Sequence, residues 1–80
     1  MIAAVRGGLA GKTLDSALIL VGGITLRVYA PLSVLAELRV GEEVILHTHF
    51  LVREDALSLY GFLTSDDRDL FEQLLAVGGV

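Results

Sequence analysis

Two adjacent carboxylates, Glu54 and Asp55, stand between two hydrophobic runs, and their type and spacing can do chemistry. Paired acids serve as general acid and base, as ligands for a hard cation, as a solvated turn or as a fixed point of negative charge. Catalysis fits poorly, because sequence neighbours at a turn point apart and no nucleophile with an orienting partner accompanies them. The flanking residues are strand formers: Val44, Ile45, Leu46, Phe50, Leu51 and Val52 before, Leu57, Leu59, Tyr60 and Phe62 after. They predict a hairpin that holds the charge at a defined place. By residue type alone a solvated turn accounts for the pair, and an electrostatic wedge stands open beside it. Arg53 has two readings as well, a contact to a phosphate or a surface ion pair with Glu54 or Asp55 that would be worth little.

Other candidate groups lead less far. His47 and His49 have the spacing for two zinc ligands from one strand, but a third ligand is missing, there is no cysteine, and no metal is expected. Gly11-Lys12-Thr13 lacks the upstream glycine of a phosphate-binding loop and no helix follows it, so nucleotide binding is excluded. No cofactor is expected. Tyr60 and Phe62 are placed in packing rather than base stacking, given 6% aromatic content.

The chain has 80 residues, 54% of them hydrophobic, with a mean hydropathy of +0.70. One small domain of that size buries only about 60% of its unfolded surface, so the surplus of Leu and Val points to a partner subunit or a neighbouring domain. The absence of cysteine fits a reducing, cytoplasmic setting. Arg6, Gly7 and Gly8 interrupt the N-terminus before a signal-peptide core can form, and the run from Leu18 to Leu26 is broken by glycine and too short to span a bilayer. A net charge of −4 argues against strong DNA binding by these residues alone, because affinity for DNA comes largely from Lys and Arg displacing counterions. The six basic residues are scattered, and Arg6, Lys12 and Arg27 serve either weak backbone contacts or strand-edge solubility.

The elements that must position the acidic pair follow from periodicity. A first strand starts at Ile2 and runs toward Leu9, Asp15-Ser16 marks a turn, and Ala17–Val21 forms a second strand. Gly22-Gly23 supplies a two-residue hairpin into Ile24–Tyr29, where Ile24, Leu26 and Val28 alternate with Thr25, Arg27 and Tyr29. Pro31 opens a short helix to Leu38, with Leu32, Leu35 and Leu38 expected on one side and Gly41 ending the segment. Glu43–Val52 forms the fourth strand. Its Val44, Leu46, Thr48, Phe50 and Val52 face the core; Ile45, His47, His49, Leu51 and Arg53 face outward. Ala56–Phe62 returns as the fifth. Thr64 or Ser65 then caps a helix with Asp66, Asp67 and Asp69 at its start and an apolar stripe of Leu70, Phe71, Leu74, Leu75 and Val77, stopped by Gly78-Gly79. The expectation is a mainly β domain: a five-stranded OB-fold barrel with a short helix between strands 3 and 4, plus a C-terminal helix. An SH3-like barrel competes but would not ordinarily place a helix there.

The hairpin Val52-Arg53-Glu54-Asp55 followed by Leu59-Tyr60-Gly61-Phe62 resembles the N-terminal domain of the RuvA family, which binds Holliday junctions. Met1-Ile2 with Arg6-Gly7, Val21-Gly22-Gly23 with Pro31, and Asp69-Leu70-Phe71 leading to Leu74-Leu75 and Gly79-Val80 extend the resemblance from end to end. The chain departs from the family in having Thr25-Leu26 where Gly-Tyr is common, which removes an aromatic from the third strand and leaves its alternation intact. The resemblance implies an OB-fold for residues 1–63, with residues 64–80 leading into an absent helix-hairpin-helix domain. It implies that Glu54 and Asp55 are an acidic pin at the centre of a homotetramer, opposite the crossover of four-way junction DNA. It also implies a non-catalytic subunit for recombination, repair and the SOS response, whose partner RuvB hydrolyses ATP and docks on a separate C-terminal domain. The alternative is an OB or SH3-like protein-interaction module without DNA specificity. An esterase or nuclease built on the acids and histidines lacks a converging site.

Overall fold

A computed structural model describes residues 2–77. The chain runs β1 (Ala4–Lys12), β2 (Ser16–Val21), β3 (Ile24–Tyr29), α1 (Leu32–Glu37), β4 (Glu43–Val52), β5 (Leu57–Phe62) and α2 (Ser65–Val77). The strands close into a barrel in the order β1-β2-β3-β5-β4, with β1 returning to β4. Every pairing is antiparallel except β3 with β5, which are parallel and are connected through α1 and β4. This is the five-stranded OB order, with the short helix after the third strand and the second helix outside the barrel. β1 reaches further than its apolar pattern indicates. A register shift between Leu9 and Gly11 lets it bend and pair with both neighbours.

Alternation fills the interior. Val5 and Leu9 from β1, Ala17 and Ile19 from β2, Val28 from β3, Leu46 from β4 and Leu59 from β5 form the core, which Val34, Leu35 and Leu38 close at one end. Val44 and Phe50 pack against it and Thr48 is buried, so the inward face of β4 is as expected up to Phe50. Val52 differs: it is 57% exposed because β4 has by then run past the end of the barrel. Thr48 is tolerated inside because its hydroxyl donates to the Ile2 carbonyl at 2.7 Å. The β2–β3 turn needs a positive φ only at Gly22, where it is 61°, the pattern of a type II′ hairpin. Gly61 faces inward, where a Cβ would lie 2.6 Å from Val28 Cγ1.

Both helices correct the stripes drawn for them. In α1 the buried residues are Val34 and Leu35, with Leu38 following, and Leu32 is 73% exposed. A step of three residues turns a helix by about 300°, so Leu32 and Leu38 lie about 120° apart and cannot share one face. Pro31 stands at the N-cap, just before the first turn. In α2, Thr64 is the cap: its Oγ1 accepts the Asp67 amide at 3.1 Å, and the acids of the first turn are Asp66 and Asp67. Asp69 lies beyond that turn and pairs with Arg68 at 2.8 Å. Phe71 and Leu75 turn toward the barrel, whereas Leu70 and Leu74 are 55% and 61% exposed. Gly78-Gly79 lies outside the described residues.

Candidate nucleic-acid interface

The acidic pair is carried by the overhang of the β4–β5 hairpin. Pairing runs from His47 with Phe62 to Val52 with Leu57. β1 leaves β4 at His47, and β3 covers β5 only at Leu59 and Tyr60. The last rungs, Leu51 with Ser58 and Val52 with Leu57, therefore form a two-stranded extension. The Arg53 amide donates to the Ala56 carbonyl at 2.8 Å, adding a closing rung that leaves Glu54 and Asp55 as the central residues of the turn. Both are exposed, and neither has a positive φ. They neither fold into the barrel nor meet a third ligand. Among the described residues no group of three His, Cys, Asp or Glu side chains is placed to hold a metal ion.

Arg53 makes no ion pair with either acid; among the described residues the pairs are Arg6 with Glu43, His49 with Glu72 and Arg68 with Asp69. Its side chain lines a hollow of about 270 Å³ with Leu51, Val52 and Leu75. Other cations are committed to the fold. Lys12 Nζ donates to the carbonyls of Leu35 at 3.0 Å and Leu38 at 2.9 Å, capping the C-terminal end of α1. Sequence reasoning missed this, since the acceptors are backbone atoms more than twenty residues away, and only the want of a basic residue in the last turn of α1 hinted at it. Arg27 Nη1 donates to Ser16 Oγ at 3.3 Å, and Arg68 Nη1 to the Ala3 carbonyl at 3.0 Å. Arg39 and Arg53 are left as the cations among the described residues whose side chains make no hydrogen bond or ion pair.

The outward face of the hairpin is partly covered by α2. Phe71 stands 5.8 Å from the His49 ring, 5.4 Å from Tyr60 and 5.1 Å from Phe62, centroid to centroid. His49 Nδ1 lies 2.8 Å from Glu72 Oε2. Tyr60 also stands 5.8 Å from Tyr29, and these rings, with Asp15, Ala30 and Pro31, line an open hollow of about 460 Å³. His47, the other candidate ligand, is half-buried opposite Ala4 and Phe62. No helix of the described residues is long and apolar enough to cross a membrane.

A closed OB barrel carrying an exposed acidic hairpin beyond its rim defines the class of protein. The RuvA N terminal domain family matches residues 1–61, and the chain belongs to the RuvA family by that domain. It is 48% identical over 80 residues to the Holliday junction branch migration complex subunit RuvA of Beutenbergia cavernae, an alignment that takes in 100% of this chain and 40% of the relative. The same-named subunit of Roseiflexus castenholzii is 52% identical over 81 residues, with 100% of this chain and 41% of the relative covered. That of Vibrio cholerae is 48% identical over 81 residues, covering 100% and 40%. The chain thus spans about two fifths of the length of the curated relatives it matches.

Proposed function

We propose that the chain is the N-terminal domain of a Holliday-junction-binding subunit and that Glu54 and Asp55 act as a pin that sorts DNA by repulsion. The observation that carries this is the placement of two exposed carboxylates at the centre of a turn beyond the barrel rim, within a chain of the RuvA family. Four copies of the pair, brought together in a homotetramer, would concentrate negative charge where the arms of a four-way junction meet. Repulsion between a carboxylate and a phosphate at 4 Å is ~1 kcal/mol in bulk water and ~4 kcal/mol at an effective dielectric of about 20. An intact duplex across the centre keeps its phosphates near that charge, while an open junction splays its strands around it, so the penalty falls on the wrong shape. Arg53 adds an attractive contact to a phosphate of the crossover.

Residues 64–80 lead toward a further domain that supplies most of the grip on DNA, consistent with a net charge of −4 here. Exposed Leu14, Ile24 and Ile45 serve contacts between subunits. ATP hydrolysis belongs to a cytoplasmic partner, RuvB, bound elsewhere on the full-length subunit. The test is a competition gel with full-length protein carrying Glu54→Gln and Asp55→Asn. Unlabelled duplex should compete against a labelled four-way junction about fivefold or more better than with the wild type, since ~1 kcal/mol is about a factor of five. Unchanged discrimination would refute the pin and favour a protein-interaction module.

A further inference from the structure

We infer that α2 is a splint for the acidic hairpin and that Leu75 is the positioning residue that aims its tip. The functional consequence rests on the pin proposed above; the mechanical claim does not. A two-stranded ribbon is marginal in water by itself, and the last rungs of β4 and β5 have neither β1 nor β3 beside them. What lies beside them is α2. Along the helix, Arg68 Nη1 reaches the carbonyls of Ala3 at 3.0 Å and Thr48 at 3.5 Å, at the root of the overhang. One turn later Glu72 meets His49 at 2.8 Å, and Phe71 packs against the same ring. Leu75, half-buried, then shares its hollow with Leu51, Val52 and Arg53, the residues that lead into the tip.

The spacing is consistent with two elements running side by side. From Arg68 to Leu75 a helix rises about 10 Å, and from Thr48 to Val52 a strand rises about 13 Å. His49 and Leu51 lie on one face of β4 by its two-residue period, and Arg53, one residue past the end of the strand, continues that alternation, so the helix meets one continuous side of the hairpin. Leu70 and Leu74 are mostly exposed and border a different hollow, with Pro31, Val34 and Phe62, and not the one that holds Leu51, Val52 and Arg53. The direction of Glu54 and Asp55 is therefore set by the position of α2, and a displacement of that helix redirects the charge.

The experiment is hydrogen exchange resolved at the Arg53 amide of the full-length protein, because that amide makes the closing bond to Ala56. Leu75→Ala should speed its exchange about tenfold while amides inside the barrel, such as Leu46, keep theirs. Leu75→Met should restore the wild-type rate, and Leu74→Ala should not change it. Duplex competition against the junction should strengthen in Leu75→Ala in the same direction as in the neutralised pair. Wild-type exchange at Arg53 in a folded Leu75→Ala protein, or an equal effect from Leu74→Ala, overturns the splint. If Leu75→Ala unfolds the whole protein, Glu72→Ala, which removes the contact with His49, must give the local acceleration, and its failure to do so overturns the splint as well. Faster exchange at Arg53 with no change in DNA selectivity upholds the splint and counts against the pin.

Discussion

Replacing Phe71 by Ala in the 80-residue chain should undock α2 and leave the barrel folded. Phe71 is the hub of the helix's contact with the sheet, with His49, Tyr60 and Phe62 all within 5.8 Å by centroid. Full burial of a Phe lost to Ala costs about 3–5 kcal/mol, and each aromatic pair is worth about 0.5–1.5 kcal/mol beyond area. Phe71 is only half-buried, which scales the total down to about 2–5 kcal/mol. Of the remaining ties, those of Arg68 to Ala3 and His49 to Glu72 are polar and partly solvated, and the apolar contact of the half-buried Leu75 with Leu51 and Val52 is smaller than that of Phe71, so together they offset little of that loss. Helical signal in far-ultraviolet circular dichroism should fall with the loss of α2, while the urea midpoint of the barrel, followed by amide exchange at Leu46, moves much less. Leu74→Ala, one turn further and 61% exposed, should cost under about 0.5 kcal/mol. Equal effects of the two substitutions would show that the helix docks by a broad apolar stripe and not through Phe71.

Gly61→Ala should destabilise the barrel by about 1–3 kcal/mol in urea denaturation, because the new methyl would meet Val28 Cγ1 at 2.6 Å and Leu46 Cδ1 at 3.1 Å. Val28→Ala in the same chain should recover part of the loss, and strict additivity of the two changes would contradict this cause. Lys12→Met keeps the stem but deletes the two bonds to the Leu35 and Leu38 carbonyls, so it should cost about 1 kcal/mol and speed amide exchange in α1. A cost no larger than at Arg39, whose side chain makes no such bond, would remove the capping role.

How much was legible in the sequence depends on the range of the interaction that decides each feature. The acidic turn between β4 and β5 could be read because its determinants are local: two apolar runs of strand formers, interrupted by charge. The barrel order followed from the strands and the one helix among them, and Gly22 marked its turn. Faces of the helices were harder. Three-residue spacing drew Leu32 into a stripe that the 100° turn per residue breaks, and in α2 the apolar band is wider than the part the barrel covers, so Leu70 and Leu74 looked equivalent to Phe71 and Leu75. Val52 kept the inward alternation of β4 yet lies past the end of the core it would fill. The role of Lys12 and the crowding at Gly61 depend on atoms brought close only by barrel closure, which no local pattern encodes.

The most direct test of the pin compares duplex affinity of full-length wild type with that of the Glu54→Gln, Asp55→Asn variant across a salt series. A repulsive tip predicts that the variant binds duplex more tightly at low salt, by about fivefold or more, and that the advantage shrinks toward 1 M salt, where the screening length falls to about 3 Å. Junction affinity should change less at every point. An affinity ratio of one throughout, or an advantage that does not respond to salt, would contradict discrimination by charge.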